Sequence, residues 1–95
     1  MYKLYKTKSF IKKAKRLLNT TEKKSSFEKT ILLMEQNPYI LNLRTHKVQS
    51  KKFGLMYSSR ITDDLRIIWN FDEENNLVLL LLDLGGHDGK NKVYK

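Results

Sequence analysis

The spacing of hydrophobic and polar residues changes more than once along the chain, and each change predicts a different element. Residues 2–8, YKLYKTK, alternate apolar and polar positions, which fits a short edge strand carrying lysines. From Ser9 the spacing becomes helical: Phe10, Ile11, Ala14, Leu17 and Leu18 share one face, and Lys12, Lys13, Lys15 and Arg16 fall largely off it. Ser9 is the expected N-cap, and Asn19-Thr20 breaks this basic amphipathic helix. A second helix, capped by Thr21 or by Ser25 or Ser26, buries Phe27, Ile31, Leu32 and Met34. It ends at Asn37-Pro38, because a residue before proline is pushed out of the α region.

Residues 39–54, YILNLRTHKVQSKKFG, hold no sustained period and read as mostly loop. The two-residue period then returns in GLMYSSRI, LRIIWNF and LVLLLLDL, joined by Asp63-Asp64 and by DEENN at 72–76. Three consecutive strands with short polar turns predict an antiparallel meander. The element order predicts one α+β domain over residues 1–95, with an N-terminal strand and two helices packed on an antiparallel sheet of about four strands.

Composition narrows the function classes. A chain of 95 residues, 40% hydrophobic and 31% charged, has enough apolar surface for one core and is not of disordered type. Its longest apolar run, LVLLLL at 77–82, is too short to cross a bilayer, and MYKLYKTKSFIKK has no apolar signal core, so a cytoplasmic location without membrane contact is expected. The absence of cysteine removes disulfides and thiolate metal sites, and two histidines make a poor zinc set, so no metal or other cofactor is expected. The net charge of +9 is unevenly spread: residues 1–52 hold fourteen basic and three acidic side chains, whereas residues 53–95 hold five and seven. A basic half of this kind attracts polyanions, nucleic acid first and an acidic protein partner second.

Several residues have the chemistry for a site. Arg66 interrupts the apolar segment LRIIWNF, and if Leu65, Ile67 and Trp69 face the helices, Arg66 shares the other face with Ile68 and Asn70. It is either a solvated arginine on an open sheet face or a planar fork for two phosphate oxygens. His87 follows the last strand through Gly85-Gly86, at one end of the sheet, and His46 lies in the basic stretch THK. Each alone reads as an incidental turn residue; with Arg66 they supply what RNA cleavage needs, a base, an acid and a cation for the phosphorane. Tyr94 either stacks on a base, transfers a proton, or packs down the terminus. Lys51 and Lys52 are the lysines placed to touch substrate phosphate. Asp63-Asp64 reads as a turn rather than a metal pair, and Ser58 and Ser59 have no triad spacing.

The stretches LRTHKV, GLMYSSRITDDLRIIW and LLLLDLGGHDGKNKVY, following Asn37-Pro38, resemble the RelE/ParE toxin superfamily, and within it the RelE and YafQ-type mRNA interferases of bacterial type II toxin-antitoxin systems. SSRITDDLRIIW is similar to the arginine-bearing hairpin of these toxins, and GGHD followed by VY to their C-terminal signature. The resemblance implies a RelE-like fold and a ribosome-dependent endoribonuclease acting on mRNA without metal. In it, Arg66 stabilises the cleaved phosphate, His87 and His46 transfer protons, Tyr94 closes the motif, and Asp64 is the hairpin aspartate. Arg60, Lys47, Lys51 and Lys52 would contact RNA, and the lysine-rich helices would dock on ribosomal RNA. The implied partners are a cognate antitoxin, the ribosome and mRNA. Residues 89–92 lengthen the tail relative to compact relatives, so Tyr94 is separated from His87 by more chain. The same superfamily implies two rivals, a ParE-like non-enzymatic DNA gyrase poison and a catalytically inert member.

Overall fold

Thr7, two residues ahead of the expected Ser9, starts the first helix. Its backbone is extended (φ −69°, ψ 161°), its Oγ1 accepts from the Phe10 N–H at 3.4 Å, and the same hydroxyl donates to the Leu81 carbonyl at 2.8 Å. The cap therefore also fastens the helix to a strand, and Ser9 adds a second tie by donating to the Leu82 carbonyl. The second helix starts on Thr20 rather than Thr21, with Thr20 Oγ1 accepting from the Lys23 N–H at 3.1 Å. It ends at Asn37 in extended conformation (φ −166°, ψ 113°), as Pro38 requires. Periodicity locates a helix face well, but the cap is set by whichever side chain sits on extended backbone, so both starts shift.

The computed structural model describes residues 1–87, 89 and 91–95; Asp88 and Lys90 of the GGHDGK stretch lie outside the described residues. The described elements are β1 (Lys3–Lys6), α1 (Lys8–Leu17), α2 (Thr21–Gln36), a 3-10 turn (Leu41–Leu43), β2 (His46–Ser50), β3 (Gly54–Arg60), β4 (Leu65–Phe71) and β5 (Val78–Gly86). They form an α+β domain around one five-stranded sheet in the order β1-β5-β4-β3-β2. The expected antiparallel sheet of about four strands is corrected in two ways. The sheet is mixed, because β1 runs parallel to β5, and it gains β2 from the segment read as loop. β2, HKVQS, is an edge strand exposed on most of its length, so it shows no apolar alternation, while a parallel β1–β5 pair joins opposite ends of the chain and leaves no local signal.

The helices cover one face of the sheet. Phe10 of α1, Met34 of α2, Ile67 and Trp69 of β4, and Leu79, Leu81 and Leu84 of β5 are buried together there. Trp69 stacks on Tyr57 at 4.7 Å and donates from Nε1 to Ser59 Oγ, so the aromatic layer is fixed by a polar tie as well as by area. Truncating a residue such as Phe10 to alanine costs roughly 3–5 kcal/mol.

β5 carries a β-bulge. Trp69 pairs with Leu81 but the next residue back, Ile68, pairs with Asp83, leaving Leu82 as the extra residue. Leu81 and Leu84 therefore both face the helices, and Asp83 and Gly85 face the opposite side. Asp83 is nearly fully buried there, ion-paired at 2.7 Å with Lys13, which reaches it from α1. The C-terminal residues 91–95 lie across that second face. Gly86 N–H donates to the Asn91 carbonyl and Val93 N–H to the Gly86 carbonyl at one end; Lys51 N–H donates to the Val93 carbonyl and Lys95 N–H to the Gln49 carbonyl at the other. Among the described residues no helix is long and apolar enough to cross a membrane.

Gly85 has no room for a side chain, because a Cβ would lie 2.3 Å from the Asn91 carbonyl oxygen and 2.4 Å from Val93 Cγ1. Gly85→Ala is therefore expected to lift the tail, with a loss of roughly 1–3 kcal/mol in urea denaturation. Hydrogen exchange at the Lys51 and Lys95 amides should accelerate while the Trp69 and Leu81 amides keep their protection; unchanged exchange at all four amides would refute this role for the tail.

Candidate active site

Strand register assembles the second face in rows. Arg60 lies opposite Arg66, which lies opposite Gly85; one step along the strands, His46 lies opposite Ser58, Ser58 opposite Ile68, and Ile68 opposite Asp83. Direct cross-strand partners hold their Cβ atoms about 4.5–5.5 Å apart, so each row is a contact set. The structure thus brings His46, Arg60 and Arg66 to one face, as the alternation of β3 and β4 requires.

Two arginines directly opposite each other repel, and among the described residues no buried carboxylate is ion-paired with either. Arg60 pairs with Asp63, an exposed carboxylate whose contribution is about 0–1 kcal/mol. Arg66 Nη1 donates to the Thr62 carbonyl. Both guanidiniums are thus held by the β3–β4 connection, and both keep donors for an anion. Arg60 also borders a cavity of about 350 Å³ lined by Leu41, Asn42 and Arg44.

His87 is delivered by the end of β5 and fixed through its backbone. Its N–H donates to the Asp64 carbonyl at 2.9 Å, with Asp64 Oδ1 at 3.3 Å as a second acceptor. Asp64 therefore positions the His87 segment. The additional tail residues do not carry Tyr94 away: Gly89 takes a left-handed turn (φ 81°), Lys92 N–H returns to the Gly89 carbonyl, and the Tyr94 ring meets the His87 ring edge-on at 5.1 Å and 82°. The Tyr94 hydroxyl lies 2.6 Å from Ser58 Oγ. Ser58 links the two sides of the site, since its cross-strand neighbour is His46.

His46 is exposed, and its Nδ1 lies 2.7 Å from the Arg44 carbonyl oxygen. A carbonyl only accepts, so Nδ1 carries the hydrogen and, in the neutral ring, Nε2 carries the lone pair that a base needs. Lys51 and Lys52 are exposed on the β2–β3 turn. Lys52 joins Ser9, Lys12, Lys13 and Arg16 around a cleft of about 330 Å³, which extends the positive surface onto α1. Lys47 is not brought to this group: it lies on the helix side of the sheet, with its Nζ 5.6 Å over the Tyr57 ring.

Sequence reasoning passed over Asp83 and Arg44 and weighed Ser58 only as a triad serine. For Ser58 a signal existed, because it stands two residues from Arg60 and shares its face. For Asp83 none existed, since the bulge that turns it inward is hidden in a run of leucines. Among the described residues no group of three His, Asp or Glu side chains is arranged to hold a metal ion.

No family model matches the chain, and no curated protein matches it in sequence. Solved structures do match. A copper-bound mutant toxin from Helicobacter pylori is similar at a TM-score of 0.67 and 26% identity, covering 92% of this chain and 96% of that one. The archaeal RelE–RelB complex from Pyrococcus horikoshii contains a chain similar at a TM-score of 0.71 and 18% identity, covering 94% and 98%. The E. coli DinJ–YafQ complex contains one at 0.56 and 18%, covering 92% and 94%. The fold is that of the RelE-like toxins, matched over almost the whole length of each chain.

The arginine pair yields a binding prediction. Arg66→Ala should weaken binding of a single-stranded, 2′-deoxy oligonucleotide by about tenfold and make the salt dependence shallower, while Arg66→Lys should not restore it, because lysine lacks the planar fork. Fluorescence anisotropy over a salt series checks this; equal affinity for wild type and Arg66→Ala would remove Arg66 from the phosphate site.

Proposed function

We propose that the chain is the toxin of a type II toxin-antitoxin system and acts as a ribosome-dependent mRNA endoribonuclease in the cytoplasm. The observation that carries this reading is the convergence, on one sheet face, of Arg60 beside Arg66 with a Tyr94 that touches both His87 and Ser58. The likeness to a toxin at 26% identity, and to chains of the RelE–RelB and DinJ–YafQ complexes, supports the toxin role and a protein partner that acts as antitoxin. The antitoxin would cover the basic surface formed by α1 and Lys52.

In this mechanism a histidine removes the proton of a 2′-hydroxyl, the oxygen attacks the adjacent phosphorus, and the P–O5′ bond breaks. The leaving 5′-oxygen takes a proton, which yields a 2′,3′-cyclic phosphate and a 5′-hydroxyl end. His46 suits the base, since its Nδ1 is engaged by the Arg44 carbonyl and its Nε2 would take the proton, and His87 or Tyr94, whose rings are in contact, would return one. Arg66 and Arg60 hold the charge that accumulates on the phosphorane. Asp64 acts through the His87 backbone. Lys51, Lys52 and the α1 lysines receive the RNA backbone, with ribosomal RNA as the larger polyanion.

Primer extension on a defined mRNA in a purified translation system tests the reading. The wild-type chain should give discrete cuts within A-site codons that require ribosomes, and His87→Ala and Arg66→Ala should each reduce them by about 10²–10⁴-fold while remaining folded. Intact mRNA together with inhibited DNA gyrase would instead make the protein a binding poison, and intact mRNA with no inhibition an inert relative.

A further inference from the structure

Ser58 is fully buried in the middle of β3, between His46 and Ile68 in the sheet register, and among the described residues its hydroxyl has one hydrogen-bond partner, the Tyr94 hydroxyl at 2.6 Å. Either oxygen can donate, but the two environments are unequal. Were Tyr94 the donor, the Ser58 hydrogen would be left in the interior with no described acceptor, and an unsatisfied buried donor is costly. Tyr94 is only half-buried, so its own hydrogen has an open side to turn to. Ser58 therefore donates, and the Tyr94 oxygen accepts.

We propose that Ser58 is a positioning residue for Tyr94, an inference that rests on the ribonuclease reading above. By donating to the phenol oxygen it turns the phenol O–H away from the sheet, toward the side where the His87 ring and the arginine row meet the substrate. The same donation meets the negative charge that develops on that oxygen as the 5′-oxygen leaves. The proton then passes from Tyr94 to the 5′-oxygen, and the phenolate is held by Ser58 until it is reprotonated from water. This assigns Tyr94 to proton transfer rather than to base stacking alone, because a stacking ring has no need of a buried partner for its hydroxyl.

A double-mutant cycle in the translation system tests the link. Ser58→Ala and Tyr94→Phe should each lower kcat by about 10–100-fold with KM little changed, the double variant should be no slower than Tyr94→Phe, and Ser58→Thr should recover most of the rate. Wild-type kcat in Ser58→Ala, losses that multiply in the double variant, or no recovery in Ser58→Thr would each overturn the proposal. A second measurement does not depend on turnover: in ¹³C-tyrosine-labelled protein the Tyr94 Cζ resonance should move in Ser58→Ala and stay near its wild-type position in Ser58→Thr. Should the wild-type chain cleave no RNA, the ribonuclease reading fails by itself, and an unmoved Cζ resonance in Ser58→Ala separately overturns the Ser58 donation.

Discussion

One extra residue in β5, Leu82, sets the geometry of everything on the second face. Without it, strict alternation from Leu79 and Leu81 would send Asp83 and Gly85 into the helix-side core and turn Leu84 outward. The bulge shifts the phase by one position, so the strand keeps its leucines under α1 and α2 up to Leu84. It also presents a carboxylate and a bare backbone to the other side. Gly85 is then a place in that stretch of β5 where another chain segment lies in close contact, and Asn91 and Val93 occupy it. The position of Tyr94, and through it the link between His87 and Ser58, follows from that contact.

The tail is held by a narrow margin. Its four backbone hydrogen bonds to β5 and to the β2–β3 hairpin contribute roughly 2–6 kcal/mol together, against roughly 5–10 kcal/mol for ordering the backbone of five residues. Burial of Val93 and partial burial of Tyr94 add roughly 3–6 kcal/mol, which brings the balance close to zero. The candidate acid is thus carried on a segment that opens more easily than the sheet beneath it. The arginines, by contrast, sit on β3 and β4, strands hydrogen-bonded on both sides within the sheet.

Most of the fold was legible because its signals are local. The change from helical to two-residue spacing, the proline after Asn37 and the polar turns at 63–64 and 72–76 correspond to observed boundaries. What was hidden is long-range. β2 has no apolar alternation because it is an exposed edge, and the parallel pairing of β1 with β5 joins distant segments. The bulge lies within LVLLLL, where every phase looks the same. The same division runs through the site. Arg66 could be placed on the open face from its own strand, whereas the meeting of Tyr94 with His87 depends on the left-handed Gly89 and the return of the Lys92 N–H to its carbonyl. Lys47 went to the other face because it alternates with His46 along a strand that the sequence did not disclose.

The placement of negative charge explains why the face remains electropositive. Asp83 is the carboxylate buried beside the site, and it lies one strand from Ile68 and near the arginine row. Had it faced Arg66 directly, a buried ion pair would have neutralised the guanidinium and occupied its fork. Instead Lys13 reaches over from α1 and takes it at 2.7 Å, while Leu84 N–H donates to the same oxygen. Asp83 is thereby committed twice, to holding α1 against β5 and to bracing the bulge. Among the described residues Arg60 is paired with the exposed Asp63 and Arg66 donates to the Thr62 and Leu65 carbonyls, partners that a phosphate can displace at little cost. The helix that supplies Lys13 also lines the basic cleft with Lys12 and Arg16, so one ion pair both spends the available carboxylate and docks the cationic helix beside the arginines.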